Sequence, residues 1–141
     1  MTTYVIDASV VLKWFIPETH SEPALRVKHA AIRLHAPALL TLEVANVLSK
    51  KRRRGEVPEP EIEAIWHAFR LAPIRRHADD TLVLAAFDLA HLTKEGLYDN
   101  LYLALAIKLD IPFLTADQKF YRALQGTPYR NHLRWIEHLI T

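Results

Sequence analysis

The chain has 141 residues, half of them hydrophobic, with a formal charge of +2, three glycines and no cysteine. That length buries one proper core and is too short for two ordinary domains. Without cysteine there are no disulfides and no thiolate chemistry, so oxygen and imidazole are the only ligands available to a metal.

Tyr4, Val5 and Ile6 form an apolar run that stops at Asp7-Ala8-Ser9. It predicts a first strand over residues 4–6 with Asp7 at its carboxyl end, and ligands of open α/β sheets bind outside such ends. A short helical stretch through Val10, Val11, Leu12 and Phe15 stops at Pro17, and residues 22–32 read as a second helix. His35-Ala36-Pro37 is a weak strand, placed mainly by the helix that follows it. That helix runs over residues 39–54, where Lys and Arg in the last turns complement the helix dipole and Gly55 acts as the stop. Glu43 lies near its start among Leu40, Leu42, Val44, Ala45 and Val47, and a lone charge in such surroundings needs a partner.

Pro58 and Pro60 break the chain before Ile62, Ile65, Trp66 and Phe69, which carry the spacing of an amphipathic helix. Together with the preceding helix they predict a helical hairpin. Residues 73–77 read as an edge strand, Asp79 or Asp80 as the cap of a helix over 81–92, and Lys94-Glu95-Gly96 as a turn. Asp99 opens a helix over 99–109 that is apolar on almost every side and therefore buried all round. A strand over 112–115 leads to Asp117 and a helix over 117–124, and a last strand covers 133–136. Strands alternating with helices imply a three-layer α/β/α sandwich around a mostly parallel sheet, one domain over residues 1–141.

Asp7, Glu43, Asp99 and Asp117 thus share one context, an apolar run meeting a turn or a helix start. Gathered together without a cation, such carboxylates repel and tend to hold their protons. A hard dication reverses that balance, because magnesium takes oxygen ligands, keeps some water and is completed by substrate phosphate. Water on such an ion loses its proton more readily, and the ion offsets charge on an attacked phosphate. Asp99 and Asp117 at helix starts also feel the positive end of a dipole. Plainer uses exist for each: a turn residue for Asp7, a cap for Asp117, and compensation by a buried Arg or Lys for Glu43 and Asp99.

The small net charge does not establish nucleic-acid binding, although a pI near 9.0 is compatible with it. The basic run Lys50-Lys51-Arg52-Arg53-Arg54 reads either as an RNA phosphate contact or as a solvated helix end. The eight histidines show no metal-ligand spacing. Trp14, Trp66 and Trp135 are expected in core or interface packing, and Trp14 with Phe15 beside Pro17 is the expected exposed aromatic patch for a partner. No stretch approaches roughly 18 uninterrupted apolar residues and no signal-peptide pattern opens the chain, so a cytoplasmic protein without membrane association is expected.

Four fragments follow one another across nearly the whole chain: Val5-Ile6-Asp7-Ala8-Ser9, Glu43-Val44-Ala45-Asn46-Val47-Leu48, Tyr98-Asp99-Asn100-Leu101-Tyr102-Leu103-Ala104-Leu105-Ala106 and Leu114-Thr115-Ala116-Asp117. Each alone is a weak signal. In this order and on these elements they resemble the PIN domain, and within it the VapC-type toxins of bacterial toxin–antitoxin pairs. The resemblance implies a magnesium- or manganese-dependent endoribonuclease that leaves 5′-phosphate and 3′-hydroxyl ends. It also implies a cognate VapB-like antitoxin, often DNA-binding, and a homodimer. By position it makes Asp7, Glu43, Asp99 and Asp117 the acidic quartet that ligates metal, with Ser9, Asn46 and Thr115 as hydrogen-bonding partners behind them. One metal ion or two are equally compatible with such a quartet. Asn100 departs from the pattern, standing where a small residue is more usual, and is expected at the pocket's rim.

Two other readings use the same residues. One is a non-catalytic binding module whose acidic pocket receives a basic partner segment. The other is a phosphoryl-transfer domain with Asp7 as nucleophile, disfavoured because Asp7-Ala8-Ser9 lacks the second aspartate of such folds.

Overall fold

A computed structural model describes residues 2–17, 20–29 and 31–138. Strands β1 (Thr2–Ile6), β2 (Ile32–Pro37), β3 (Ile74–His77), β4 (Phe113–Thr115) and β5 (Leu133–Trp135) form one sheet in the order β3-β2-β1-β4-β5. Every pairing is parallel. The α-helices are α1 (Ala8–Val11), α2 (Ser21–Val27), α3 (Leu39–Arg53), α4 (Glu59–Leu71), α5 (Val83–Thr93), α6 (Leu97–Leu109) and α7 (Gln118–Ala123).

Tyr4, Val5 and Ile6 point alternately to the two sides of the sheet, and all three are buried. Both faces of the central strand are therefore covered, which is the α/β layering expected from the sequence. Helix α6 lies across β1, β2 and β4. Its residues 100–106 are all buried, as its all-round apolar character requires. Helices α3 and α4 pack on one another as the predicted hairpin.

Three local expectations are corrected. The helix expected over residues 22–32 ends at Val27, and Ile32 already belongs to β2, paired with Thr2. Ile32, Leu34 and Ala36 alternate with Arg33 and His35, a strand period that a helical reading of the preceding residues overran. Helix α5 starts at Val83, after a 3-10 turn over Asp79–Thr81. Asp79 caps a different helix instead: its Oδ1 accepts the Leu39 N–H at 3.0 Å, serving the start of α3, where Ala38 has no side-chain cap to offer. Third, Trp14 is buried, donates its indole N–H to the Ala24 carbonyl at 2.7 Å and meets Phe15 edge-on, so that patch is closed. Among the described residues the exposed large apolar side chains include Leu84, Phe87 and Leu92 of α5.

Candidate active site

The strand order places a topological switch point beside β1. The chain leaves β1 towards β2 and β3 on one side, then returns to β4 on the other. The crevice outside the carboxyl ends of β1 and β4 is where such a sheet binds ligands. Asp7 follows β1 directly, and Asp117 follows β4 after Ala116.

Asp7 is buried at 9% exposure, and hydroxyls hold both of its oxygens. Ser9 Oγ donates to Oδ1 at 2.5 Å and Thr115 Oγ1 donates to Oδ2 at 2.6 Å, while the Val10 N–H reaches Oδ1 at 3.2 Å. The same hydroxyls tie down the facing strand end. Ser9 Oγ accepts the Ala116 N–H at 3.1 Å, and Thr115 Oγ1 accepts the Asp117 N–H at 3.0 Å. Asp117 Oδ1 caps α7 through the Phe120 N–H at 3.1 Å, which leaves its other oxygen free of that bond. Thus the cap and the ligand readings of Asp117 are compatible.

Glu43, on the second turn of α3, receives the Tyr102 hydroxyl on Oε1 at 2.5 Å. Asp99 lies in the first turn of α6. Glu43 and Asp99 share a surface cavity of about 460 Å³ with Gly96, Leu97 and Tyr98. Asn46, one turn beyond Glu43, is exposed and makes no hydrogen bond to the cluster among the described residues. Asn100 is not at the rim either. It is fully buried and donates to the Gly96 carbonyl at 2.8 Å and to Thr93 Oγ1 at 3.2 Å, fastening the start of α6 and so the turn that carries Asp99.

Electrostatic coupling links the carboxylates in a chain, Asp7 to Asp117, Asp99 to both, and Glu43 to Asp99. Burial pushes the Asp7 carboxyl up to about 6, against its hydrogen bonds, and the Asp117 charge adds to the rise. Burial also raises Asp99 to about 6, with the charges of Asp117, Asp7 and Glu95 acting in the same direction and Lys119 opposing them. Glu43 is raised by burial and by Asp99 and Asp79, and the Tyr102 bond opposes that rise. Burial, then Glu43, lifts the Tyr102 phenol far above its ordinary range, which keeps it a neutral donor.

This donor set fits a hard dication. All four side chains offer carboxylate oxygen, and the ion pairs His20–Glu137, Lys51–Glu56, Arg52–Glu59 and Arg54–Glu56 lie elsewhere. Among the described residues no three Asp, Glu or His side chains form a ready ligand cage. Magnesium needs no such cage, since one or two carboxylates, water and substrate phosphate complete its shell. Sequence reasoning missed Tyr102, whose apolar neighbours disguise it as core. Its spacing of three residues from Asp99 was the available signal.

The PIN domain family matches residues 4–124. A ribonuclease VapC3 of Pyrobaculum aerophilum is 36% identical over 119 residues, covering 82% of this chain and 89% of that protein. Among solved structures, PAE2754 of Pyrobaculum aerophilum superposes with a TM-score of 0.65 at 18% identity, covering 96% of this chain and 92% of the other. A toxin–antitoxin complex from Klebsiella pneumoniae gives a TM-score of 0.62 at 12% identity, covering 96% of this chain and 99% of its counterpart.

Proposed function

We propose that this chain, which belongs to the PIN domain family, is a metal-dependent endoribonuclease acting as the toxin of a type II toxin–antitoxin pair. The reading is supported by the placement of Asp7 and Asp117 after the carboxyl ends of β1 and β4, with Asp99 feeling both charges and Glu43 feeling that of Asp99. The ribonuclease name of its relative supports the substrate class.

In this reading Asp7, Glu43, Asp99 and Asp117 would hold Mg2+, or Mn2+ in its stead, and the chemistry supplied there would be a lowered pKa of water and an offset to charge on the attacked phosphodiester. The residues of the chain position and orient. Ser9 and Thr115 hold Asp7 with both oxygens directed by O–H donors, and Tyr102 fixes one oxygen of Glu43 with its hydroxyl. Burial removes competing water from Asp7, which strengthens each electrostatic contact.

The partners are an RNA substrate, a second copy of the chain and a VapB-like antitoxin. The likeness to a chain from a toxin–antitoxin complex supports the last, and the exposed Leu84, Phe87 and Leu92 supply apolar surface of the kind protein partners cover. The negative pocket suits an Arg or Lys from the antitoxin as inhibitor. Among the described residues no helix is long and apolar enough to cross a membrane.

Incubation of the purified protein with structured RNA tests the proposal. Cleavage is expected with Mg2+ and is expected to vanish in EDTA and in Asp99→Asn. Undiminished cleavage in either condition refutes the metal mechanism, and tight partner binding without any turnover would instead identify a binding module.

A further inference from the structure

We propose that the groove where β2 extends past the start of β3 is a docking site for the phosphodiester backbone of RNA, separate from the carboxylates. It rests on the nuclease reading for the identity of the polyanion. The register creates the groove. Residues 34–37 of β2 pair with residues 74–77 of β3, so Ile32 and Arg33 have a neighbour only on the β1 side. The resulting cavity of about 450 Å³ is lined by Lys28, His29, Arg33, His35 and Arg75, with Trp14 among the apolar residues between them. No Asp or Glu is in that lining.

Arg33, His35, Arg75 and His77 share one side of the sheet, since side chains alternate along a strand and His35 is in register with Arg75. His35 Nδ1 and His77 Nε2 are 3.0 Å apart. The groups acting on them are all basic. Burial and then His77, Arg75 and Arg33 lower His35, and burial and then Arg75 and Lys108 lower His77. No carboxylate acts on either ring. The ammonium of Lys28 is held 5.3 Å from the Phe15 ring and 5.8 Å from Trp14, which orients it without neutralising it.

Comparison with residues 50–54 sharpens the case. That run looks more basic in sequence, yet Lys51 and Arg54 pair with Glu56, and Arg52 pairs with Glu59. Among the described residues no ion pair includes Lys28, Arg33 or Arg75. Like charges gathered without acidic partners are relieved by a polyanion, which releases counterions as it binds. Two guanidinium forks suit phosphate oxygens geometrically. Trp14 is buried, so the groove offers no stacking platform for a base, and its contacts are sequence-independent. Arg33 is level with Thr3 on β1, four residues before Asp7 and therefore roughly 13 Å of strand away. An RNA strand held there is gripped beyond the phosphate being cleaved.

The test uses the full chain carrying Asp99→Asn, a fluorescently labelled single-stranded RNA, EDTA and a salt series, read by fluorescence anisotropy. Adding Arg33→Glu and Arg75→Glu together is expected to weaken binding about tenfold or more and to flatten the slope of log affinity against log salt by about 1.4, the loss of two phosphate contacts. Arg33→Lys with Arg75→Lys is expected to keep most of the affinity, as a requirement for positive charge at these positions demands. Lys51→Glu with Arg52→Glu is expected to weaken binding much less. An unchanged affinity and slope in the Arg33, Arg75 variant overturns the proposal, as does an equal loss on reversing Lys51 and Arg52. Displacement of RNA by polyglutamate at equal charge concentration would overturn it in favour of an acidic protein partner. If the wild-type chain cleaves RNA while the groove variant binds normally, only the docking site is lost. Groove-dependent binding with no cleavage in Mg2+ would end the nuclease reading and leave the groove standing.

Discussion

Tyr102 donates its phenolic hydrogen to Glu43 across 59 positions of sequence, and it does so from one turn after Asp99 on α6. Residues three apart on a helix share a face. One buried helix therefore presents a carboxylate at its first turn and, at the next, the hydroxyl that aims a carboxylate of α3. The Tyr102 ring is stacked on Phe113 with centroids 5.5 Å apart and planes 16° from parallel, which leaves the phenol little freedom to leave Glu43.

Tyr102→Phe keeps the ring and removes the donor. The expected cost is about 1.5–3 kcal/mol of stability, the range for a hydrogen bond to a charged group. Because that bond now opposes the rise of the Glu43 pKa, its loss moves the acidic limb of the activity profile to higher pH and raises the half-saturating Mg2+ concentration. An unmoved limb and an unchanged Mg2+ requirement, measured together, would reduce Tyr102 to a packing residue.

The raised carboxyls make a pH prediction for the metal-free protein. A carboxyl whose folded pKa exceeds its unfolded value binds protons more tightly when folded, so stability falls as pH rises from the unfolded value of 3.8 through the folded value of about 6. For buried Asp7 the change is on the order of 3 kcal/mol. In EDTA, thermal unfolding is therefore expected at a higher temperature near pH 5 than near pH 7, with Mg2+ recovering the difference at pH 7. A midpoint that climbs steadily from pH 5 to pH 7 in EDTA would contradict the assignment.

Asp99→Asn removes one of the mutually repelling charges. Without metal the variant is expected to be at least as stable as the wild type, while Mg2+ raises the melting temperature of the wild type and leaves that of the variant nearly unchanged. Equal Mg2+ stabilisation of both proteins in differential scanning calorimetry would place the ion elsewhere.

Asn100→Ala strips the buried bonds to Gly96 and Thr93. The Gly96 carbonyl keeps the Asn100 backbone N–H and Thr93 Oγ1 keeps the Glu95 N–H, so the cost is that of the lost bonds themselves, about 0.5–1.5 kcal/mol each, which urea unfolding should show. Activity should fall as well, because the first turn of α6 no longer holds Asp99 firmly. A variant as stable as the wild type would show that the α5–α6 turn does not depend on this side chain.

The sequence by itself determined the elements whose signals are local. The β1 run ending in Asp7, the all-apolar α6 and the cap position of Asp117 follow from periodicity and turn chemistry within a few residues, and so do the layering and the candidate quartet. Tertiary structure alone decided what joins distant residues: Thr115 on Asp7 across 108 positions, Tyr102 on Glu43, Asp79 at the start of α3, and Ile32 recruited into β2 by Thr2. It also decided which cations are paired among the described residues, since Lys51, Arg52 and Arg54 of the conspicuous run find carboxylates while Lys28, Arg33 and Arg75, scattered in sequence, line one groove. The reason is physical. Periodicity records which face of a segment is buried, whereas partner choice and uncompensated charge depend on strand order and register, which no single segment contains.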